Sequence, residues 1–335
     1  MKRRTFIQST LSSGAGIGLA SLSSLSFIPR QQKVPVGIIG LDTSHSPAFT
    51  KILNADNPAP EVAGYRVVAA YPYGSKTITS SYERIPKYTE DVKALGVEIV
   101  DSIDALLQKV EVVLLETNDG NPHLEQALPV LKAGKRLFID KPVAAHLKDV
   151  LAIYEAAEKY GTPVFSSSSL RYTTNTQAVR HENKIGPVVG ADTFSPASLE
   201  PSHTDLFWYG IHGVEPLYTV MGTGCQTVQR IHTEDTDIVV GTWADGRLGT
   251  FRGTRSGKHN YGGVAFGTEG NINLGPYEGY EGLVHKVIAF FRTGVPPVAP
   301  EETLEIYAFM EAADVSKQKD GAPVDVREVI QGAKS

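Results

Sequence analysis

The chain has 335 residues, of which 41% are hydrophobic and 21% are charged, and its net charge at pH 7 is −5. These values are typical of a globular protein of about two domains, and without a basic patch they exclude a nucleic-acid partner. A single cysteine, Cys225, excludes an internal disulfide, a cysteine zinc site and an iron–sulfur cluster.

The N-terminus places two adjacent arginines, Arg3 and Arg4, ahead of a weakly apolar stretch from Leu11 to Phe27. This stretch is too short and too polar for a membrane span, and the pattern favours a twin-arginine export signal. A disordered basic tail is the alternative. We therefore predict a signal peptide over residues 1–30, a periplasmic or otherwise exported location, and no stable membrane span after processing.

Short apolar runs then alternate with amphipathic segments. The runs predict strands at 34–40, 65–71, 98–100, 110–117, 136–139 and 163–166, and the segments predict helices at 47–53, 82–95, 103–109 (with Ser102 as its cap), 123–133 and 147–160. This alternation indicates right-handed βαβ units in a parallel sheet. The fold class is therefore α/β, with a Rossmann-type nucleotide-binding domain over residues 33–166.

The pattern changes after Arg171. Strands are predicted at 188–194, 227–233, 237–242, 248–252 and 262–267, and helices at 206–221, 281–292 and 302–317. We predict an α+β domain over residues 167–335, with a large, mostly antiparallel sheet and a C-terminal helix that packs back on the first domain.

Ligands of parallel sheets bind beyond the carboxyl ends of the strands. The first strand runs through Gly37 and Gly40 like the start of a dinucleotide fingerprint, but no third glycine follows. Asp42 in this turn would repel a phosphate, or would cap the next helix. The second strand ends without the acid that binds a ribose 2′-hydroxyl. Ser75 and Lys76 would instead meet the 2′-phosphate of NADP, or lie in a solvated loop.

The fifth strand ends in Asp140-Lys141-Pro142, which directs Lys141 into the ligand cleft. A lysine there can donate to a substrate hydroxyl or exchange a proton. This arrangement resembles the glucose-fructose oxidoreductase / inositol dehydrogenase / MocA family (Gfo/Idh/MocA), in which the strand ends in Glu-Lys-Pro. Further segments that are similar to the family are 123–135, 168–172, 267–270 and 300–325.

The resemblance implies NAD or NADP, a sugar, polyol or sugar-derived substrate, and a homo-oligomer packed through an open-faced C-terminal sheet. It also implies a catalytic Asp-x-x-x-His pair on a helix of the second domain. His212 falls on the histidine of this pair, with a core histidine as the alternative, and Trp208 holds the aspartate position. Trp208 would stack on a sugar ring, while Tyr209, Asp205 or His203 would take over acid–base work.

The candidate residues form three groups. The catalytic candidates are Lys141, His212, Asp205 and Tyr209. The cofactor-binding candidates are Gly37, Ile39, Gly40, Asp42, Thr43, Ser44, His45, Tyr71, Ser75, Thr117, Asn118, Asp140 and Lys141. The substrate-binding candidates are Arg171, Tyr172, His203 and Trp208. A metal held by His45 with His203, Asp205 and His212 is conceivable, but we predict no metal site.

The function expected from these residues is an exported NAD(P)-dependent oxidoreductase of a sugar or polyol, with Lys141 and His212 assisting proton transfer. Two alternatives stay open. One is a glycoside hydrolase or lyase that uses a tightly bound NAD in a net non-redox cycle. The other is a non-catalytic sugar-binding scaffold.

Overall fold

The computed structural model describes residues 33–258 and 260–334, so the predicted signal peptide lies outside the described residues. No helix within these two ranges combines the length and the apolar character that a bilayer span requires.

The first sheet has six strands in the order β3-β2-β1-β4-β5-β6, and every pairing is parallel. The strands are β1 Val34–Ile39, β2 Tyr65–Tyr71, β3 Glu98–Ile99, β4 Val112–Leu115, β5 Leu137–Ile139 and β6 Val164–Ser166. Helices cover both faces, and β4, β5 and β6 are buried throughout. This confirms the predicted Rossmann-type sheet, whose ligand crevice lies where the strand order reverses, between β1 and β4.

The helices of this half are α1 His45–Leu53, α2 Thr79–Tyr82, α3 Ile85–Ala94, α4 Ile103–Leu107, α5 His123–Lys132 and α6 Leu147–Tyr160. The helix predicted over 82–95 is two helices, α2 and α3, separated at Glu83–Arg84. Ser102 caps α4 as predicted, because its side chain accepts a hydrogen bond from the backbone N–H of Ala105 at 3.2 Å.

The second sheet has seven strands in the order β12-β11-β7-β10-β9-β8-β13. The strands are β7 Val188–Pro196, β8 Cys225–His232, β9 Thr236–Trp243, β10 Leu248–Thr254, β11 Gly262–Gly267, β12 Gly270–Leu274 and β13 Val324–Asp325. Only β7 and β10 pair in parallel; the other pairings are antiparallel, which confirms the predicted class.

The helices of the second half follow a 3₁₀ turn at Ser169–Tyr172. They are α7 Thr174–Glu182, α8 Asp205–Trp208, α9 Ile211–Met221, α10 Glu281–Thr293, α11 Pro300–Gln318 and α12 Val326–Lys334. The helix predicted over 206–221 is interrupted at Tyr209–Gly210 and forms α8 and α9. This break lies at the wall of the cavity described below.

Two apolar cores hold the described chain together. One is shared by the two sheets and by α5, α6, α9 and α11. In the other, α10 packs with α1 over β1, β4 and β5 of the first sheet. The backbone N–H of Val143 also donates to the hydroxyl of Tyr307 in α11, at 2.7 Å. Elements from both halves of the sequence therefore surround the carboxyl ends of β1, β4 and β5.

Candidate functional site

A cavity of about 230 Å³ lies at the carboxyl ends of β1, β4 and β5. Its walls come from the start of α1, the segment from α2 to α3, the 3₁₀ turn, the break between α8 and α9, and the segment before α10. The lining residues are Thr43, Ser44, His45, Ser80, Arg84, Asn118, Lys141, Ser169, Leu170, Trp208, Tyr209, His212, Tyr261, Tyr277 and Tyr280.

Lys141 lies in this cavity, where the sequence placed it. Its side chain follows β5, and its Nζ lies 5.5 Å from the centroid of the Tyr209 ring. The ring face attracts the ammonium group. Lys141 is only 6% exposed, so water screens its charge little and the charge acts mainly on a ligand in the cavity. Trp208 lines the same wall of the cavity.

His212 lies at the start of α9, and Nδ1 of its ring is 2.8 Å from Oγ of Ser168. This contact fixes one ring nitrogen and leaves Nε2 for a ligand. Burial, and then the charges of Lys141 and His45, hold the pKa of His212 well below its usual range. His212 is therefore neutral at physiological pH, the form that can accept a proton.

Ser168 is itself held by a buried carboxylate. The backbone N–H of Ser168 donates to Glu215 at 2.7 Å, and Nε of Arg171 donates to the other oxygen of Glu215 at 2.7 Å. Arg171 also pairs with Glu302 at 2.7 Å. Arg171 and Tyr172 do not line the cavity, so the substrate-binding role predicted for them is wrong. Arg171 instead stabilises the wall that carries His212.

The positions of Asp205 and His203 correct two more predictions. Asp205 faces away from the cavity and accepts from Arg230 at 2.9 Å and from Lys317 at 2.7 Å, so it cannot serve as the acid–base group. His203 is buried behind Trp208, and its Nε2 accepts from the backbone N–H of Gly120 at 3.0 Å. Burial lowers the pKa of His203 to about 4. Both residues are structural.

The glycine turn after β1 differs from the prediction in register. Gly37 lies inside β1, where a Cβ would press on Leu106 and Val110, and Ile39 belongs to the core. Neither borders the cavity. Gly40 makes the turn, with φ of +88°, and a Cβ there would lie 2.6 Å from the backbone of Thr117. Counted from Gly40, the fingerprint positions for the second and third glycines hold Asp42 and His45.

Asp42 ties two loops together across the crevice. Its carboxylate accepts from the backbone N–H of Ser75, after β2, at 2.8 Å and from that of Asn118, after β4, at 2.9 Å. A side chain at Gly74 would collide with this carboxylate. Asp42 is completely buried and does not line the cavity, and burial raises its pKa.

Further hydrogen bonds join the segment after β2 to the loop after β4 and to α5. The hydroxyl of Ser75 donates to Asp119 at 2.7 Å, Nδ2 of Asn118 donates to Ser81 at 2.9 Å, and Gln126 donates to the carbonyl of Tyr73 at 3.2 Å. We call residues 72–81 the crevice strap. The hydroxyl of Ser75 is thus committed within the protein, and the 2′-phosphate contact predicted for it is wrong in this arrangement.

The fit of a dinucleotide follows from these contacts. Thr43 and Ser44 at the start of α1, with Asn118 and Lys141, offer backbone and side-chain donors to its nicotinamide half. The adenosine half normally lies near the end of the second strand, where the crevice strap is bonded to the loop after β4. The residues that line the cavity therefore fit the nicotinamide half of a dinucleotide. The crevice strap, in this position, leaves no fit for the adenosine half.

The remaining cofactor candidates lie around this crevice. Tyr71 ends β2, and its ring meets that of Tyr73 edge to face at 5.5 Å. Thr117 is buried and donates to Gln126 at 2.8 Å. Asp140 is buried beside His45, whose Nδ1 lies 2.5 Å from Oδ2 of Asp140. Burial alone would raise the pKa of Asp140, but the charge and hydrogen bond of His45, with Lys141, lower it.

Sequence reasoning missed several residues of the site. Tyr261, Tyr277 and Tyr280 line the cavity from a loop region and from the residue that precedes α10. No periodic pattern marks them. Glu116 was also missed, although a carboxylate directly after the apolar run of β4 was a usable signal, because polar residues at strand ends commonly face the ligand.

A family model described as "Oxidoreductase family, NAD-binding Rossmann fold" (GFO_IDH_MocA) matches residues 34–168. A 1,5-anhydro-D-fructose reductase of Ensifer adhaerens is 28% identical over 128 residues. That match covers 37% of this chain and 38% of the reductase, so the chain spans under two fifths of the length of this curated relative.

Solved structures extend the similarity to both sheets. An oxidoreductase from Thermotoga maritima has a TM-score of 0.70 at 18% identity, covering 89% of this chain and 99% of that one. Scyllo-inositol dehydrogenase from Lactobacillus casei, solved with NAD(H) and scyllo-inositol, has a TM-score of 0.68 at 16% identity, covering 88% and 99%. Residues 34–168 are therefore similar to the NAD-binding Rossmann domain of the Gfo/Idh/MocA family, and both sheets share the fold of these solved structures.

Proposed function

We propose that this protein is an NAD(P)-dependent oxidoreductase that acts on a hydroxyl-bearing carbon of a sugar, polyol or sugar derivative. The observation that carries the proposal is the convergence of Lys141, Tyr209 and His212 on one cavity at the carboxyl ends of a Rossmann sheet. The family description supports NAD as the cofactor class. The sugar reductase and the inositol dehydrogenase among the similar proteins support the substrate class.

The protein residues divide the proton chemistry between them. When bound, NAD or NADP supplies the hydride acceptor or donor. The ammonium group of Lys141 donates a hydrogen bond to the substrate oxygen and stabilises negative charge there. Neutral His212, oriented by Ser168, accepts the hydroxyl proton at Nε2. Trp208 and Tyr209 present ring surfaces to the sugar.

The proposal requires the crevice strap to leave its position when a complete dinucleotide binds. The strap is held to the opposite loop through Asp42, Ser75, Asn118 and Gln126. Breaking these contacts opposes binding, and we therefore expect weak or slow uptake of free NAD(H). A tightly retained nucleotide acquired during folding is equally consistent with this barrier.

The test is turnover by the full chain with NAD⁺ or NADP⁺ and a panel of aldoses, inositols and sugar acids, followed by NAD(P)H absorbance. We expect Lys141→Met to lower turnover by at least about 100-fold. Lys148→Met, which removes an exposed lysine of α6 that does not line the cavity, is the matched control and leaves turnover unchanged. Turnover that survives Lys141→Met would remove Lys141 from the proposal.

We also propose that the protein is exported, because the adjacent Arg3 and Arg4 precede a weakly apolar stretch as in a twin-arginine signal. Cell fractionation and N-terminal sequencing of the mature chain test this. A cytoplasmic, unprocessed chain would contradict it.

We further propose a homo-oligomer that pairs through the open face of the second sheet. Phe194, Ile231 and Leu248 are 40%, 68% and 53% exposed on β7, β8 and β10, and exposed apolar surface of this kind marks an interface. Light scattering should show an oligomer for the wild type and a smaller species for Ile231→Lys with Leu248→Lys. A monomeric wild type would contradict this assignment.

A further inference from the structure

A buried group of three side chains, of which His45 lines the cavity, has no role in the function proposed above. Glu116 follows β4, Asp140 follows β5, and His45 begins α1. Leu115 and Ile139 are paired across β4 and β5, so the two carboxylates that follow them lie side by side. One ligand atom from each of the three side chains lies within 4.8 Å of the others.

The carboxylates of this group are incompletely paired. Within residues 33–258 and 260–334, neither side-chain oxygen of Glu116 has a hydrogen-bond partner, and nor does Oδ1 of Asp140. Glu116 is 0% exposed and Asp140 is 1% exposed. A buried carboxylate without a partner is costly, and in native proteins such groups commonly hold an ion or ordered water.

The local charge points in the same direction. Around this group the buried carboxylates are Asp42, Glu116 and Asp140, while Lys141 and His45 are the basic side chains. The three carboxylates outnumber these two side chains, so a bound cation would balance the remaining charge.

We propose that His45, Glu116 and Asp140 bind one divalent transition-metal cation of the Zn²⁺ or Mn²⁺ type. One imidazole nitrogen and two carboxylate oxygens are suitable ligands for these ions. Three protein ligands leave coordination positions open, as in metal sites that bind a small molecule. His45 lines the cavity, so a cation can reach the group from the space that Lys141 also lines.

Metal binding requires small side-chain adjustments. Ligand atoms about 2.1 Å from one ion lie roughly 3 to 4 Å apart. The hydrogen bond between His45 and Asp140, at 2.5 Å, would open slightly, while Glu116 would move inwards. The rings of Phe49 and Tyr280, whose centroids are 5.6 and 4.6 Å from that of His45, hold the imidazole in place. This inference does not depend on the proposed oxidoreductase activity.

The experiment is a metal titration of the chelator-treated full chain with Zn²⁺ and, separately, Mn²⁺, with stoichiometry measured by calorimetry and elemental analysis. We expect one equivalent per chain. Glu116→Gln, which keeps the side-chain volume, should weaken binding by at least about 100-fold. His181→Gln removes an exposed histidine, and this matched control should bind like the wild type.

Substitution of Co²⁺ into the wild type gives a second readout that does not depend on any variant. We expect ligand-field bands of a nitrogen- and oxygen-ligated site, and their loss in His45→Gln. Circular dichroism verifies that each variant is folded. A wild type that binds no stoichiometric metal, or a Glu116→Gln protein that binds as tightly as the wild type, would overturn the proposal and indicate a protonated Glu116 instead.

Discussion

The carboxylate of Asp42 accepts a hydrogen bond from the backbone N–H of Asn118 at 2.9 Å, across the crevice in which Rossmann folds bind a dinucleotide. A second bond from the same side chain reaches Ser75 at 2.8 Å. Asp42 thus replaces the glycine that lets a pyrophosphate approach, and it also holds the crevice strap closed.

Asp42→Gly should raise the affinity for NADH or NADPH by about tenfold or more, which corresponds to about 1.4 kcal/mol. The change removes both a buried carboxylate and the two bonds that retain the strap. Ser75→Ala, which removes the bond between the strap and Asp119 and keeps the Asp42 carboxylate, separates the two effects. Nucleotide fluorescence titration provides the measurement. An affinity that is unchanged or lower in Asp42→Gly would show that Asp42 does not obstruct the site.

His212→Asn should lower kcat by at least about 100-fold, because it removes the proposed proton acceptor. Ser168→Ala should have a smaller effect, about tenfold, because Ser168 orients the ring and does not react. Since the pKa of His212 is held well below its usual range, the wild-type rate should stay constant as the pH falls through 6.5. A pH profile with a midpoint near 6.5 would contradict this assignment, and so would equal losses in the two variants.

Asp205→Asn should leave turnover within about twofold of the wild type and reduce stability by about 1 to 3 kcal/mol. Asp205 is tied to Arg230 and Lys317 away from the cavity, so its loss weakens that ion-pair group only. Denaturant unfolding and a turnover assay on the same preparation decide the point. A large loss of turnover in a stably folded variant would restore Asp205 as a catalytic candidate.

The protein should lose stability as the pH falls from about 6.5 towards 4. Burial lowers the pKa of His203 to about 4, and it also lowers the pKa of His123 and of His212. In this window the unfolded chain binds protons that the folded chain excludes, so stability is complete above the window and is lost within it. Each histidine contributes up to about 1.4 kcal/mol per pH unit.

In the metal-free protein Glu116 acts in the opposite sense, because burial raises its pKa and its contribution to stability falls as the pH rises. Glu116 is present in both the wild type and His203→Gln, so the difference between their unfolding free energies isolates the contribution of His203. The variant should show a shallower pH dependence of the unfolding free energy. Parallel curves for the two proteins would mean that His203 is not held neutral by the fold.

The sequence predicted the first sheet well because its strands are continuous apolar runs that each lead to a helix. Lys141 was placed correctly for the same reason: a residue directly after a buried parallel strand has to face the crevice. The turn glycine was less certain, since Gly37 and Gly40 fit the pattern equally, and only the positive φ of Gly40 distinguishes them.

The errors concern charged residues whose partners are distant in sequence. Arg171 and Asp205 lie next to the family motifs in the sequence and were therefore predicted as site residues. In the structure Arg171 forms an ion pair with Glu302, and Asp205 forms one with Lys317, both from α11. Likewise, the proximity of Glu116 to His45 and Asp140 depends on the order of β1, β4 and β5 in the sheet. Tertiary pairing of this kind leaves no local pattern that a single sequence could reveal.

Dinucleotide binding is tested most directly on the full-length protein purified from its native host. The protein is denatured, and the released small molecules are identified by mass spectrometry. The refolded or nucleotide-free protein is then titrated with NAD(H) and NADP(H). We expect about one dinucleotide per chain, either released on denaturation or bound on titration. A folded protein that releases no nucleotide and binds neither NAD(H) nor NADP(H), even as Asp42→Gly, would contradict it.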